Sequence, residues 1–414
     1  MVLTRTGVAS LALLGAALVL GVVLGFVLAF GASDADRWEE RWAELGVPEV
    51  EFVFLGDFTR GERESLRREL KTAQVIFADN FGAVTSDFTV YLSTDLQQLN
   101  ERVASFLGES YRVGHTCGGL SLTAGAIIVV VQDCPAFKSQ GGFLAHEYFH
   151  VLQGREGPIP VTGNVWPDWV VEGSAVYASA LVSDARGRIP FDVWRKGVRI
   201  TWSALARPLP RDAYSLTVPA HSTLFTYQVG FLAIDWLVEQ NGPESILAFF
   251  RLGAHEAAFE QAFGMTLDQF ELAFDAHRLE VAPPFQWRVQ GAVFDADGRP
   301  LEDVHTTAVA WVEGEWWWAG EGSTDAQGAF AFAGPGSGYT IALAFQCPRN
   351  DNIIGRWVFA GEWGAEGLVG DASGYLAREN LGAEPFTGEE RDRTDLVIEI
   401  PETQESLVEK YCEG

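Results

Sequence analysis

The sequence predicts an α+β protein with an N-terminal transmembrane helix, a mixed α/β and helical body, and a C-terminal all-β sandwich. Three observations carry this reading. From Thr6 to Ser33 there is no charged residue, and Val8–Phe30 is an almost unbroken run of Leu, Val, Ala and Gly. Through residues 50–282 strand-like and helix-like periodicities alternate and then give way to helix alone. After Pro283-Pro284 the helical period stops and Gly, Trp and alternating apolar residues take over.

The 23 positions of Val8–Phe30 rise about 35 Å as a helix, enough to cross a bilayer with some tilt. Arg5 stands before the run and Asp34, Asp36, Glu39 and Glu40 after it. That asymmetry keeps the short basic end in the cytoplasm and puts residues from about 34 onward outside it. The expectation is a single-pass signal-anchor in the cell membrane over 1–33, with a cleaved signal and secretion as the alternative.

A juxtamembrane linker over 34–49 follows, amphipathic and acidic, with Trp38, Trp42 and Leu45 on one face. In the body over 50–282, Val50–Leu55, Asp87–Leu92 and Ala126–Val131 read as strands, and Arg60–Asn80 and Leu96–Leu107 as helices. From Asp168 the chain is mostly helical, with Asp168 placed to cap a helix start. Phe225–Gln240, Ser245–Leu252, Glu256–Phe263 and Leu267–His277 read as helices broken at Asn241-Gly-Pro and Phe263-Gly-Met. In the 283–414 region, Val289–Leu301 and Ser323–Phe332 each read as strand, Asp-Gly-type turn, strand, the pattern of a β-sandwich. Trp311 and Trp316–Trp318 are expected to fill that sandwich, with stacking on a binding partner as the alternative.

Net charge is −27, from 29 basic and 56 acidic residues, which excludes nucleic acid and anionic membrane surfaces as partners. Cys117, Cys134, Cys347 and Cys412 make an even count in an exported chain, which favours disulfides. Cys117–Cys134 and Cys347–Cys412 are the local pairing among three connectivities, and a metal site from His115, Cys117 and Cys134 is the rival use.

The chemistry concentrates in His146-Glu-Tyr-Phe-His150, followed by Glu172 in Trp169-Val-Val-Glu-Gly-Ser-Ala-Val-Tyr177. Histidines four apart share one helix face and can offer two imidazole nitrogens to one cation. Glu172 would add an oxygen, and three protein ligands with one open position describe a catalytic zinc site. Glu147 lies beside that face as the general base for a metal-bound water. Gly154 marks the expected helix end. Tyr227 and His221, in His221-Ser-Thr-Leu-Phe-Thr-Tyr-Gln-Val-Gly230, are candidates to donate a hydrogen bond to an oxyanion.

These two segments resemble the gluzincin clan of zinc metallopeptidases, especially its peptidase MA-like branch. Tyr227-Gln-Val-Gly-Phe-Leu-Ala-Ile-Asp-Trp-Leu237 and Gly264-Met-Thr-Leu-Asp-Gln-Phe270 are similar to the helical half of that branch. The resemblance covers roughly residues 50–280. It implies a thermolysin-like catalytic domain, Zn2+ held by His146, His150 and Glu172, Glu147 catalytic, Tyr227 acting on the transition state, and a peptide or protein substrate. Gln153 and Glu156 stand where the metzincin pattern has Gly and His, so that clan is excluded. The Gly-x-Met-Glu-Asn signature of the related aminopeptidases is absent before His146, which makes endopeptidase the expectation. Residues 288–345 are similar to the carboxypeptidase regulatory-like β-sandwich, a module that covers a flank, spaces the enzyme from the membrane or binds a partner. Two other readings fit the sequence: a catalytically inactive member that binds a partner, and a zinc hydrolase acting on a non-peptide bond.

Overall fold

A computed structural model describes residues 34–107, 117–122, 125–131, 142–157, 168–205, 214, 216, 225–282, 285, 287–313, 315–334, 339–345, 357–361, 364–369, 392–399, 403 and 406. The chain divides after Pro48. In the first unit, α1 (Asp34–Leu45) is a helix over most of the segment expected as a linker over 34–49. It carries an Arg41–Glu44 pair at 2.9 Å and ends at Gly46, whose φ of 64° suits glycine. Among the described residues no helix is long and apolar enough to cross a membrane. The anchor expected over 1–33 lies outside them, as do Cys134, Cys347, Cys412, His115 and His221.

The second unit opens with a four-stranded sheet in the order β1 (Glu51–Leu55), β2 (Thr89–Ser93), β4 (Ala126–Val131), β3 (Cys117–Leu122). The first three strands run parallel, and β3 runs antiparallel along the edge beside β4. Helix α2 (Arg60–Phe81) is the crossover between the parallel β1 and β2, as parallel pairing requires, and α3 (Leu96–Leu107) follows β2 in the chain before β3. Helix α2 starts in a capping box, Thr59 with Glu62, and stops at Gly82 in the left-handed conformation.

Helices α4 (Phe143–Glu156), α5 (Asp168–Ala185) and α6 (Phe191–Leu205) come next. A π-helical turn over Phe225–Val229 leads into α7 (Gly230–Asn241), α8 (Glu244–Arg251), α9 (Glu256–Phe263) and α10 (Leu267–Val281). Helix α4 runs past Gly154, the predicted terminator, and ends at Gly157. Its last turn is held from outside: Arg251 Nε donates to Glu156 at 2.6 Å, and Arg155 donates to the Asp87 carboxylate at 2.7 Å. Asp168 is the first residue of α5 and not the one before it. Helix α5 is buried on nearly every side, in keeping with its continuous apolar character.

The C-terminal region forms two sheets. One has five strands in the order β11 (Gly364–Val369), β10 (Trp357–Gly361), β9 (Tyr339–Phe345), β6 (Val304–Val312), β7 (Glu315–Ser323). The other has three, β12 (Arg393–Glu399), β5 (Trp287–Phe294) and β8 (Ala329–Gly334). Residues of both sheets, among them Val289, Leu396, Ala308 and Ile341, form one apolar cluster. Both predicted turns are present: Asp295 Oδ1 accepts from the backbone of Asp297 and Arg299, and Asp325 Oδ1 from that of Gln327 and Ala329.

Trp317 departs from its expected place. It belongs to the helical body's core, packing on Trp194 of α6 at 5.3 Å between ring centres. Gly197 explains the fit, because a Cβ there would stand 1.8 Å from the Trp317 ring. Ile200 of α6 in turn packs against the two-sheet cluster, so α6 is the common wall of both cores. Gly197→Ala is therefore expected to cost about 1–3 kcal/mol by overpacking, read as a lowered denaturation midpoint. A midpoint equal to wild type would show that Trp317 has room to move.

Candidate metal centre

Helix α4 is fixed by its aromatic face on α2 and on the segment that leads into β2. Tyr148, fully buried, stacks between Phe77 and Phe88 and bridges Thr85: its hydroxyl donates to the Thr85 carbonyl at 3.1 Å and accepts from the Thr85 N–H at 2.9 Å. Helix α5 is fixed near its start by Trp169, which stacks on Phe270 at 5.2 Å and donates from Nε1 to the Tyr214 carbonyl at 3.0 Å. Gly173 lets α5 touch α7 backbone to backbone, since a Cβ there would lie 2.3 Å from the Gly230 carbonyl carbon. The π turn that carries Tyr227 ends at this contact.

These anchors bring His146, His150 and Glu172 together. His146 Nε2 lies 3.1 Å from Glu172 Oε2 and 3.1 Å from His150 Nε2, and His150 Nε2 lies 3.4 Å from Glu172 Oε2. Donors on a tetrahedral zinc with arms of about 2.0–2.1 Å stand about 3.3–3.4 Å apart, so the three atoms already form one face of such a tetrahedron. Two nitrogens and one oxygen, partly buried and converging, fit Zn2+, and among the described residues no fourth donor joins them.

Glu147 sits beside this face and is 6% exposed. The backbone of Ser121 on β3 hydrogen-bonds its carboxylate, and a Cβ on Gly119 would lie 2.5 Å from its Cγ. Strand β3 thus passes directly over the carboxylate, which only a glycine at 119 permits. Burial pushes the Glu147 pKa up, against the pull of His150 and His146, so it holds a proton more readily than an exposed glutamate. Tyr227 lies flat against the His146 ring at 5.8 Å between centres and 17° between planes.

The charge balance gives a pH signature. Burial opposes a charge on His150, but the Glu172 carboxylate outweighs it and lifts the imidazole to about 9. Burial likewise opposes ionised Glu172, while His150 and His146 hold it well below the ordinary carboxylate range. The raised imidazole stabilises the metal-stripped fold fully below its unfolded value of about 6.5, and that contribution is lost as pH rises through about 9. Glu147, also raised, loses stability in the same direction. The stripped protein should therefore show a falling thermal midpoint between pH 6.5 and 9, whereas zinc-loaded protein, its imidazoles already deprotonated, should not. Parallel profiles for the two forms would contradict this coupling.

The residues singled out by sequence thus divide clearly. His146, Glu147, His150, Glu172 and Tyr227 stand together, and His221 is outside the described residues. Two contributors were not anticipated. Glu69, 3% exposed, accepts from the Gly142 N–H at the start of α4 at 2.9 Å and from Arg186 at 2.6 Å. Gln153 contacts His150 Nδ1 at 2.7 Å. A lone amide three residues after a liganding histidine is a local signal for the second; the first is a long-range contact that no local pattern encodes.

No protein-family model matches the sequence, and no curated protein matches it. Among solved structures the chain is similar to Legionella pneumophila aminopeptidase A in complex with aspartic acid, with 13% identity and a TM-score of 0.37. That match covers 69% of this chain and 34% of the other. It is also similar to an M1 zinc metallopeptidase from Deinococcus radiodurans, with 16% identity, a TM-score of 0.29, and coverage of 57% and 49%. The chain spans between a third and a half of the length of these proteins. Both likenesses are distant.

Proposed function

We propose that this chain is a zinc-dependent peptidase, held in the cell membrane by Val8–Phe30 with its catalytic body outside the cytoplasm. The observation that carries the proposal is the set of three donor atoms 3.1–3.4 Å apart beside a buried carboxylate. Zinc bound there supplies a Lewis acid and lowers the pKa of a water in the open position. Glu147 takes the proton of the attacking water and delivers it to the leaving amine; its raised pKa suits it to hold that proton between the two transfers. Tyr227 is the proposed donor to the developing oxyanion, from its place on His146. Endopeptidase action remains the proposed specificity, because the sequence lacks the Gly-x-Met-Glu-Asn signature of the aminopeptidases. The two C-terminal sheets are proposed as a non-catalytic sandwich docked on α6, with a surface for a partner.

The test uses full-length protein in detergent with an unfolded protein substrate, and a peptide pair differing only in an acetylated N-terminus. Cleavage that a chelator abolishes and zinc restores, on free and acetylated peptides alike, is the expected result. Cleavage of the free peptide only would overturn the endopeptidase assignment. Bound zinc with no peptide cleaved would move the function to a non-peptide bond or to binding alone.

A further inference from the structure

Gln153 is fully buried on α4, three residues after His150. Its side-chain amide makes three contacts. Nε2 lies 3.0 Å from the Val171 carbonyl oxygen and 2.8 Å from Ser174 Oγ, and Oε1 lies 2.7 Å from His150 Nδ1. A backbone carbonyl only accepts, so the NH2 must face Val171. Ser174 agrees with that orientation: its hydroxyl donates to the Val170 carbonyl at 2.6 Å and turns a lone pair toward the amide. The carbonyl end of Gln153 must then face His150, and two acceptors cannot bond, so the proton of the neutral imidazole sits on Nδ1. The lone pair is left on Nε2, the nitrogen that meets His146 and Glu172. A flipped amide would set Oε1 against the Val171 carbonyl and favour the tautomer whose Nε2 cannot ligate a cation.

The same amide does a second thing. Val171 directly precedes Glu172 in the chain, so its carbonyl fixes the backbone that presents the third donor. One side chain therefore joins an α4 ligand to the α5 backbone that presents another.

We propose that Gln153 is the positioning residue of the metal centre, selecting the liganding tautomer of His150 and setting the spacing between His150 and Glu172. This rests on the zinc reading above. Partners of this kind, behind a metal-bound imidazole, typically change metal affinity by about 10–100-fold when removed. Two measurements on the full-length protein test it: zinc affinity by competition with a chromophoric chelator, for wild type and Gln153→Met, and 15N NMR of the histidine rings in zinc-loaded wild type. Gln153→Met keeps the side-chain length and removes all three hydrogen bonds. The expected outcome is a 10–100-fold weaker affinity with an unchanged circular dichroism spectrum, together with a proton on His150 Nδ1 and metal on Nε2 in wild type. Equal affinity in the two proteins, where both bind zinc, overturns this inference alone. So does metal on Nδ1 of His150, a result that stands even if Gln153→Met does not fold. A wild type that binds no zinc overturns both this inference and the zinc reading.

Discussion

Glu147→Gln is expected to lower kcat/KM for peptide hydrolysis by about 10²–10⁴-fold, the range of a positioned general base, while zinc content stays at the wild-type level. The amide matches the carboxylate in shape, so it fits under Gly119 of β3 at a position that is only 6% exposed. It cannot accept a proton from water. Because the metal donors are His146, His150 and Glu172, none is lost by the substitution. The measurement is steady-state hydrolysis beside zinc per chain. Retained activity would show that another group carries the proton, and lost zinc would mean that Glu147 belongs to the ligand set.

The second large effect is on stability and arises far from the chemistry in sequence. Glu69→Ala is expected to destabilise the protein by about 3–5 kcal/mol, the usual cost of breaking a buried ion pair from one side. Three groups lose a carboxylate partner at once, and Arg186 keeps its contacts with Ser65. Arg186 donates to Glu69 at 2.6 Å, Arg188 approaches it at 3.4 Å, and the Gly142 N–H at the head of α4 donates to it at 2.9 Å. The two arginines are partly buried, with 13% and 25% of their side chains exposed, so water restores little of what they lose. Helix α4 carries His146 and His150, so the loss should also loosen the head of the ligand helix. Denaturant unfolding of the zinc-stripped variant against zinc-stripped wild type measures it, and a difference under about 1 kcal/mol would place these charges in effective contact with solvent.

The elements that the sequence made legible are those with a strong local period. Helices α2, α3 and α9 and strands β1 and β4 lie within a residue or so of their expected bounds, because apolar spacing and terminal glycines mark them directly. Strand β3 carries no local signal: Gly118-Gly119 has no strand propensity, and its place on the edge beside Glu147 is a tertiary fact. The π turn before Gly230 hid inside one helical period, since a widened turn keeps the apolar face. Trp317 lies in the core of the helical body and not within its own sheets, because Gly197 of α6, a distant part of the chain, opens a place for it. At the centre, the donor residues were legible as a spacing, whereas Gln153 and Glu69 act through contacts that only the folded chain forms.

The metal centre is tested most directly by the zinc bound per chain in the purified full-length protein and its His150→Ala variant. Three converging donors predict close to one equivalent in wild type and its loss in the variant, where only His146 and Glu172 remain. Less than about a tenth of an equivalent in wild type, or the same zinc content in both proteins, would contradict the metal centre and every role derived from it.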